Sequence, residues 1–324
     1  MRRRLENLRL NHLSSRKVPV LVAALLALLV PLALSGPAVA DPGAGGQGPQ
    51  TWTVLAGNES PDQAIQSMAF LPTDVYVDAG DTVTWQANSA EPHTVTFLPP
   101  GAPLMAFNPG DPTQLFPIGG STYDGASYYN SGILTNVSDS GFPAVASYSL
   151  QFPTAGDFTY YCLVHGAMMK GTVHVAAAGT PYPYTQNDYN RQSRQQAQGI
   201  LLDGRMLWNA TAAQADSHHV YVGADDGVAM VMRYIQPTVR IHVGETVTFI
   251  NSGMAAPHTV TFGTEPVNFY APVGDPAAFA GGDLNSGLML PGSTFTVTFT
   301  RAGTFSYICA LHDYMGMVGT VVVG

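Results

Sequence analysis

The chain repeats itself. "GDTVTWQANSAEPHTVTF" (80–97) matches "GETVTFINSGMAAPHTVTF" (244–262), and "SYSLQFPTAGDFTYYCLVH" (147–165) matches "TFTVTFTRAGTFSYICALH" (294–312). Two copies with one apolar pattern must bury the same faces, so the repeat marks two folding units of one design. His93 maps to His258 at an offset of 165, and Cys162 to Cys309 at 147, so the first copy carries 18 extra residues between these blocks. They fall within 98–144, a stretch rich in Gly, Pro, Ser and Asn that reads as a long inserted loop. The units are therefore placed at 50–176 and 216–324, with a linker at 177–215. In the linker, "RQSRQQAQG" (191–199) predicts a short helix ending at Gly199, and "ILLDGRMLW" predicts a strand of the second unit.

Within each copy the apolar residues alternate. Val83 and Trp85, Val247 and Phe249, and Phe295, Val297 and Phe299 fall on one face of their segments. This is the period of half-buried strands. About seven such runs per copy, punctuated by turns, predict an all-β chain of two tandem Greek-key β-sandwiches. Tyr160, Tyr161, Phe305 and Tyr307 are expected in the cores.

The first 40 residues read as a targeting segment. Six basic residues (Arg2, Arg3, Arg4, Arg9, Arg16 and Lys17) precede an apolar run and a small-residue pattern ending at Ala40. A cleaved signal peptide is the first reading and an uncleaved anchor the alternative. A flexible lead-in follows at 41–49. Either way the chain is expected to be exported: periplasmic, extracellular or on the outer face of the cytoplasmic membrane. The segment holds six of the 13 basic residues and one of the 22 acidic ones, which leaves 7 against 21, a net charge of −14. So acidic a chain is a poor partner for nucleic acid or an anionic membrane surface. It keeps a secreted protein soluble and suits a partner with a basic docking face.

The chain has two cysteines, and each heads the same local pattern. Each copy offers one histidine in "PHTVTF", then Cys-x2-His, then a methionine: His93, Cys162 and His165, and His258, Cys309 and His312. Two imidazoles, one thiolate and one thioether suit a copper ion cycling between Cu(I) and Cu(II). Structural zinc prefers four strong N or S ligands. A disulfide between the two cysteines needs no histidine three residues on, and both cysteines have one. His174, His218, His219 and His242 read as surface residues.

At these residues the chain resembles the cupredoxin family, which includes plastocyanin, pseudoazurin and amicyanin. The resemblance covers both copies. "CALHDYMGMVGTV" matches the family's loop and implies Met317, rather than Met315, as the axial ligand. "CLVHGAMMKGTV" is one residue shorter. The shared M-x-G-T-V selects Met169, while a still shorter loop of the amicyanin kind would select Met168. The resemblance implies two type 1 copper sites per chain and a carrier that passes electrons to redox protein partners. It also implies that His165 and His312 are exposed electron ports ringed by Leu163, Val164, Ala167, Ala310 and Leu311. The unlike loops predict unequal potentials. Two-domain copper nitrite reductases and laccases, the enzymatic alternative, have a histidine directly after the cysteine. Here Leu163 and Ala310 stand there, and no His-x-His pair exists. An electron carrier is therefore the expectation over an enzyme. A copper-delivery protein, and an enzyme with a further copper between subunits held by His174, His218 or His219, are the other readings. A homo-oligomer is compatible with each.

Overall fold

A computed structural model describes residues 48–324. Residues 1–40, expected to be a targeting segment, and most of the expected lead-in at 41–49 lie outside the described residues. The rest is mostly β-structure, as the alternating pattern requires. In the first copy Ser147–Gln151, Thr82–Ala87, Thr51–Ala56 and Phe70–Leu71 form a four-stranded sheet in that order. Asp74–Asp78, Gly166–Ala176, Gly156–Cys162, Thr96–Phe97, Tyr129–Ser131 and Pro117–Ile118 form a six-stranded one. The inward residues of both sheets, among them Val54, Val83 and Trp85 against Phe97, Tyr160 and Val173, share one core. The Trp85 and Tyr160 rings meet edge to face at 5.0 Å.

The second copy repeats the sandwich. Ala229–Ile235, His219–Asp225, Thr246–Ile250 and Thr294–Thr298 lie in one sheet. Thr238–Ile241, Val318–Val323, Gly303–Ile308, Thr261–Phe262 and Leu284–Asn285 make the other. Val247, Phe249, Val297 and Phe299 are fully buried, as their alternation predicts. Of the four aromatics expected in the cores, Tyr160, Phe305 and Tyr307 are buried and Tyr161 is partly so.

Two expectations need correction. The extra residues of the first copy are not one loop. Asn130 and Asn285 accept equivalent hydrogen bonds from Thr96 and Thr261. The offset between these asparagines is 155, so ten extra residues precede Asn130 and eight follow it. An equivalent strand threads the stretch, and around it the first copy adds a short helix, Pro112–Leu115, and a strand pair, Ile133–Leu134 with Ala144–Val145. The linker is also not a short helix plus a strand. One helix runs Gln186–Ala212, through Gly199 and Gly204. Its N-terminus is fixed by a capping box, with Thr185 capping the Asp188 N–H while Asp188 reaches back to the Thr185 N–H. Packing against both copies outweighs the weak helix preference of the two glycines.

The two sandwiches share backbone. Ile65–Ser67, from the first copy, pairs antiparallel with Ala229–Ile235 and forms the edge strand of the second copy's sheet. Met68 N–H donates to Val228 O at 2.8 Å, and Met232 N–H to Ala64 O at 2.8 Å. These bonds close an edge that would otherwise lie open.

Candidate metal centres

Each centre is assembled from two strand ends. His93 is pinned by paired backbone bonds to Leu134 (2.9 and 2.7 Å), and His258 likewise to Met289 (3.1 and 2.7 Å). Cys162 ends the strand Gly156–Cys162, and Cys309 directly follows Gly303–Ile308. Cys-x2-His then turns each second imidazole back over its own sulfur. The structure thus brings His93, Cys162 and His165 together, and His258, Cys309 and His312, all buried.

The triangles have the size that a central metal needs. In the first, His93 Nδ1 lies 3.2 Å from His165 Nδ1, and Cys162 Sγ lies 3.9 and 3.3 Å from them. In the second the corresponding distances are 3.1, 3.7 and 3.5 Å. A metal about 2.05 Å from each nitrogen and about 2.3 Å from sulfur, in plane, asks for sides of about 3.5 and about 3.8 Å. Every side lies within about 0.5 Å of these values, so small side-chain shifts let the donor set hold copper. Both cysteines are free, so no disulfide joins them.

The sulfur environment is built twice with the same residues. Thr94 N–H points at Cys162 Sγ at 3.4 Å, and its hydroxyl accepts from Leu163 N–H at 2.8 Å. Thr259 does the same for Cys309 (3.4 Å) and Ala310 N–H (2.8 Å). Behind them, Thr94, Thr96 and Asn130 form a buried polar ladder, repeated by Thr259, Thr261 and Asn285. Ser131 and Ser286 accept the N–H of Val95 and Val260. The shared "NSG" of Asn130-Ser131-Gly132 and Asn285-Ser286-Gly287 is visible in the sequence, and its role emerges only in this ladder. On the far side of the imidazoles, Ser89 Oγ lies 2.9 Å from His93 Nε2.

The charges of each centre are coupled. Burial alone would raise the Cys309 thiol, but the charge of His312 and hydrogen bonding with His258 and His312 outweigh it and hold it well below its ordinary value. Burial would lower His165, but the Cys162 sulfur and the Glu91 carboxylate raise it to about 10. His312 is raised in the same way, by Cys309 and Glu91 against burial. His93 is pushed well below its usual value by burial and by the charge on His165. The Cys309 thiolate is the form that takes a metal, and uptake displaces the proton that a raised His165 or His312 holds.

Met169 is fully buried in the core that holds Cys162, and Met317 in the core that holds Cys309. Cys309 N–H donates to Met317 O at 3.1 Å. Met168 is 39% exposed, and Met315 packs into the first copy's core.

His165 and His312 differ from expectation in their surroundings. Neither is an exposed port: they are 5% and 6% exposed, and both face Glu91 at the seam between the copies. The loop after Cys309 lies against the first sandwich, with Tyr314 OH donating to Ala90 O at 3.3 Å. Val164, expected on a docking rim, packs against the first core. Glu91 fills the seam, with Oε1 at 3.3 Å from His165 Nε2 and Oε2 at 4.0 Å from His312 Nε2. Burial would raise its carboxyl, but the His165 hydrogen bond and the charges of His312, His165 and His258 hold it below the usual value. Glu91 carried no signal in the sequence, because the two copies differ at that position.

The other histidines sit elsewhere. His174 bonds Asp157 (2.7 Å) and Asp74 (3.3 Å), His219 pairs with Asp216, and His218 lies 3.6 Å from Glu245. His242 Nδ1 lies 3.3 Å from Gly324 O. None of them belongs to a cluster of three metal-ligating groups among the described residues.

The profile of "Copper binding proteins, plastocyanin/azurin family" matches residues 59–176 and 218–324. Plastocyanin of Chlamydomonas reinhardtii is 36% identical over 112 residues, 35% of this chain and 70% of that protein. Plastocyanin of Solanum crispum is 34% identical over 104 residues, 32% of this chain and 97% of that one. Among solved structures, a Cu(I) form of an amicyanin mutant is 33% identical and covers 35% of this chain and 89% of its own, with a TM-score of 0.24. Matched by the profile in both halves, with a His–Cys–His cluster of copper-binding dimensions in each, the chain belongs to the plastocyanin/azurin family of copper-binding proteins, and copper is its cofactor.

Proposed function

We propose that the protein is an exported electron carrier with a type 1 copper site in each half. The observation that carries this reading is the pair of buried nitrogen–nitrogen–sulfur triangles, each close to the size that holds one ion. His93, Cys162 and His165 would hold copper in the first half, with Met169 as axial ligand. His258, Cys309 and His312 would hold it in the second, with Met317. Copper supplies a one-electron couple there. The chain supplies a rigid compromise geometry, a dry surround and N–H groups aimed at each sulfur, which tune the potential. Leu163 and Ala310 after the cysteines, in place of histidine, support a carrier over an oxidase or reductase. Plastocyanin relatives support transfer to redox protein partners, and the acidic surface supports a partner with a basic face. The basic and apolar N-terminal segment supports export. Among the described residues no helix is long and apolar enough to cross a membrane.

Copper stoichiometry with visible and EPR spectra tests the reading. Two coppers per chain and an intense blue colour that bleaches reversibly are expected. Colourless Cu(I) surrendered to a chelator would indicate a delivery protein. More than two coppers per chain would indicate an enzyme.

A further inference from the structure

One carboxylate serves both centres. With Nδ1 of His165 and of His312 turned to the metal position, the proton of each ring resides on Nε2. Both Nε2–H groups face Glu91, at 3.3 Å from Oε1 and 4.0 Å from Oε2. Oε2 is buried and has no hydrogen-bond partner among the described residues. A buried carboxylate oxygen left unpaired is costly, and His312 Nε2–H is the donor aimed at it. A small ring rotation, or one bridging water, closes the gap.

The arrangement belongs to the seam and not to the repeat. "AEPHTVTF" in the first copy is "AAPHTVTF" in the second, so Ala256 stands where Glu91 has its counterpart. Ala256 is buried against the first copy's core. Tyr314 OH, bonded to Ala90 O, fixes the second copy's ligand loop beside the same carboxylate. The two imidazole edges that an outside partner would otherwise meet are therefore enclosed, and what they meet is Glu91.

We propose that Glu91 joins the two centres into one electron-sharing unit, in which His165, the Glu91 carboxylate and His312 form a continuous bridge that carries an electron between the two sites of a single chain. This rests on the copper-carrier reading above. The exchange moves one electron: one site is oxidised as the other is reduced. No proton leaves either ring, because Glu91 accepts both hydrogen bonds as a carboxylate. Glu91 acts through the histidines, as a positioning residue.

Two measurements on the full chain test the bridge. In zinc(II)-loaded protein, ¹⁵N-histidine NMR should show slowly exchanging Nε2–H protons for both His165 and His312. Both signals should shift in Glu91→Gln and exchange freely in Glu91→Ala. In copper-loaded protein reduced by half with a radiolytic pulse, the unimolecular redistribution between sites should slow about tenfold or more in Glu91→Ala, the scale on which outer partners of metal-bound histidines act. Glu91→Gln, of the same shape, should slow it too, and it decides the matter if the alanine variant does not fold. An unchanged rate in a variant that still cycles its blue colour overturns the bridge alone, as does a freely exchanging His312 Nε2–H in the zinc-loaded wild type. A chain that takes up copper without cycling it overturns the carrier reading and the electron exchange together, while the zinc signals still report on the hydrogen bonds.

Discussion

Thr94 and Thr259 each do two things for a sulfur: the backbone N–H points at it, and the hydroxyl holds the N–H of the next residue along. Replacing either with valine keeps the shape and strands a buried N–H. Thr94→Val and Thr259→Val should each cost about 1–3 kcal/mol in chemical denaturation, and the serine variants should recover most of it. Gly57 and Gly223 matter for a different reason. Both adopt left-handed φ (73° and 74°), and a Cβ would come within 2.3 Å of His93 Nε2 or 2.6 Å of His258 Nε2. Gly57→Ala should weaken metal binding at the first centre and Gly223→Ala at the second, each by about 10–100-fold in a competition titration with a chelator. The ionisation of the metal-free second centre gives a further signature. His312 is raised above 6.5, so its contribution is complete below that pH and lost as pH climbs through its folded value. Cys309 is lowered from 9.0, so its contribution is complete above that pH and lost as pH falls through its folded value. The two windows open toward each other from 6.5 and 9.0, and where they overlap the slopes oppose one another. The metal-free protein should therefore lose stability toward acid as Cys309 takes up its proton and toward alkali as His312 gives up its own, and Cys309→Ser should remove the acid-side loss and weaken the alkaline one. The cysteines and histidines were legible in the sequence because the chemistry requires them in both copies. Glu91 was not, because a residue at a seam answers to the partner surface rather than to its own fold.

The helix Gln186–Ala212 shows what local pattern leaves out. Gly199 resembles a stop signal, and Ile200, Leu201 and Leu207 resemble a strand, yet all lie in one helix that also runs through Gly204. Its contacts explain this. Tyr189 OH reaches the Tyr76 backbone at 2.8 Å, and Leu207 and Trp208 pack against Ala224, Val231 and Ile235 of the second copy. Gly204 passes so close to the edge strand of the seam that a Cβ would come within 2.4 Å of Ile65 Cγ2. Gly199 faces open space, with nothing within 4 Å of the same atom. The two substitutions should therefore have opposite signs. Gly199→Ala should stabilise the chain by up to about 1 kcal/mol through helix propensity. Gly204→Ala should destabilise it in the same denaturation experiment, because the helix must lift from the seam to admit a methyl group. The strands were readable for the converse reason: each buries one face, and the period of two that this imposes is written in Val83, Trp85, Val247 and Phe249. The positions of the first copy's extra residues were not readable, because turns carry no period, and only the Asn130 and Asn285 bonds show where the copies realign.

At the scale of the molecule, the repeat has ceased to be two separable domains. The first copy gives a strand, Ile65–Ser67, to the second copy's sheet. The second gives Met315 and Ala256 to the first copy's core. The long helix packs on both, and Glu91 faces a ligand of each centre. Opening one sandwich therefore exposes a sheet edge and apolar surface on the other, so the halves should unfold together. Metal bound to the native state alone stabilises whatever unfolds with its site, by about 2.7 kcal/mol at a free concentration a hundred times the dissociation constant. In Cys309→Ser, which leaves only the first centre able to hold its thiolate-bound ion, zinc or copper should raise the midpoint of one calorimetric transition that includes both halves. Cys162→Ser should show the same behaviour from the other side. If the copies were merely tethered, each variant would give two transitions, of which metal moves only one. That result would mean that the backbone shared at the seam contributes too little to couple the sandwiches.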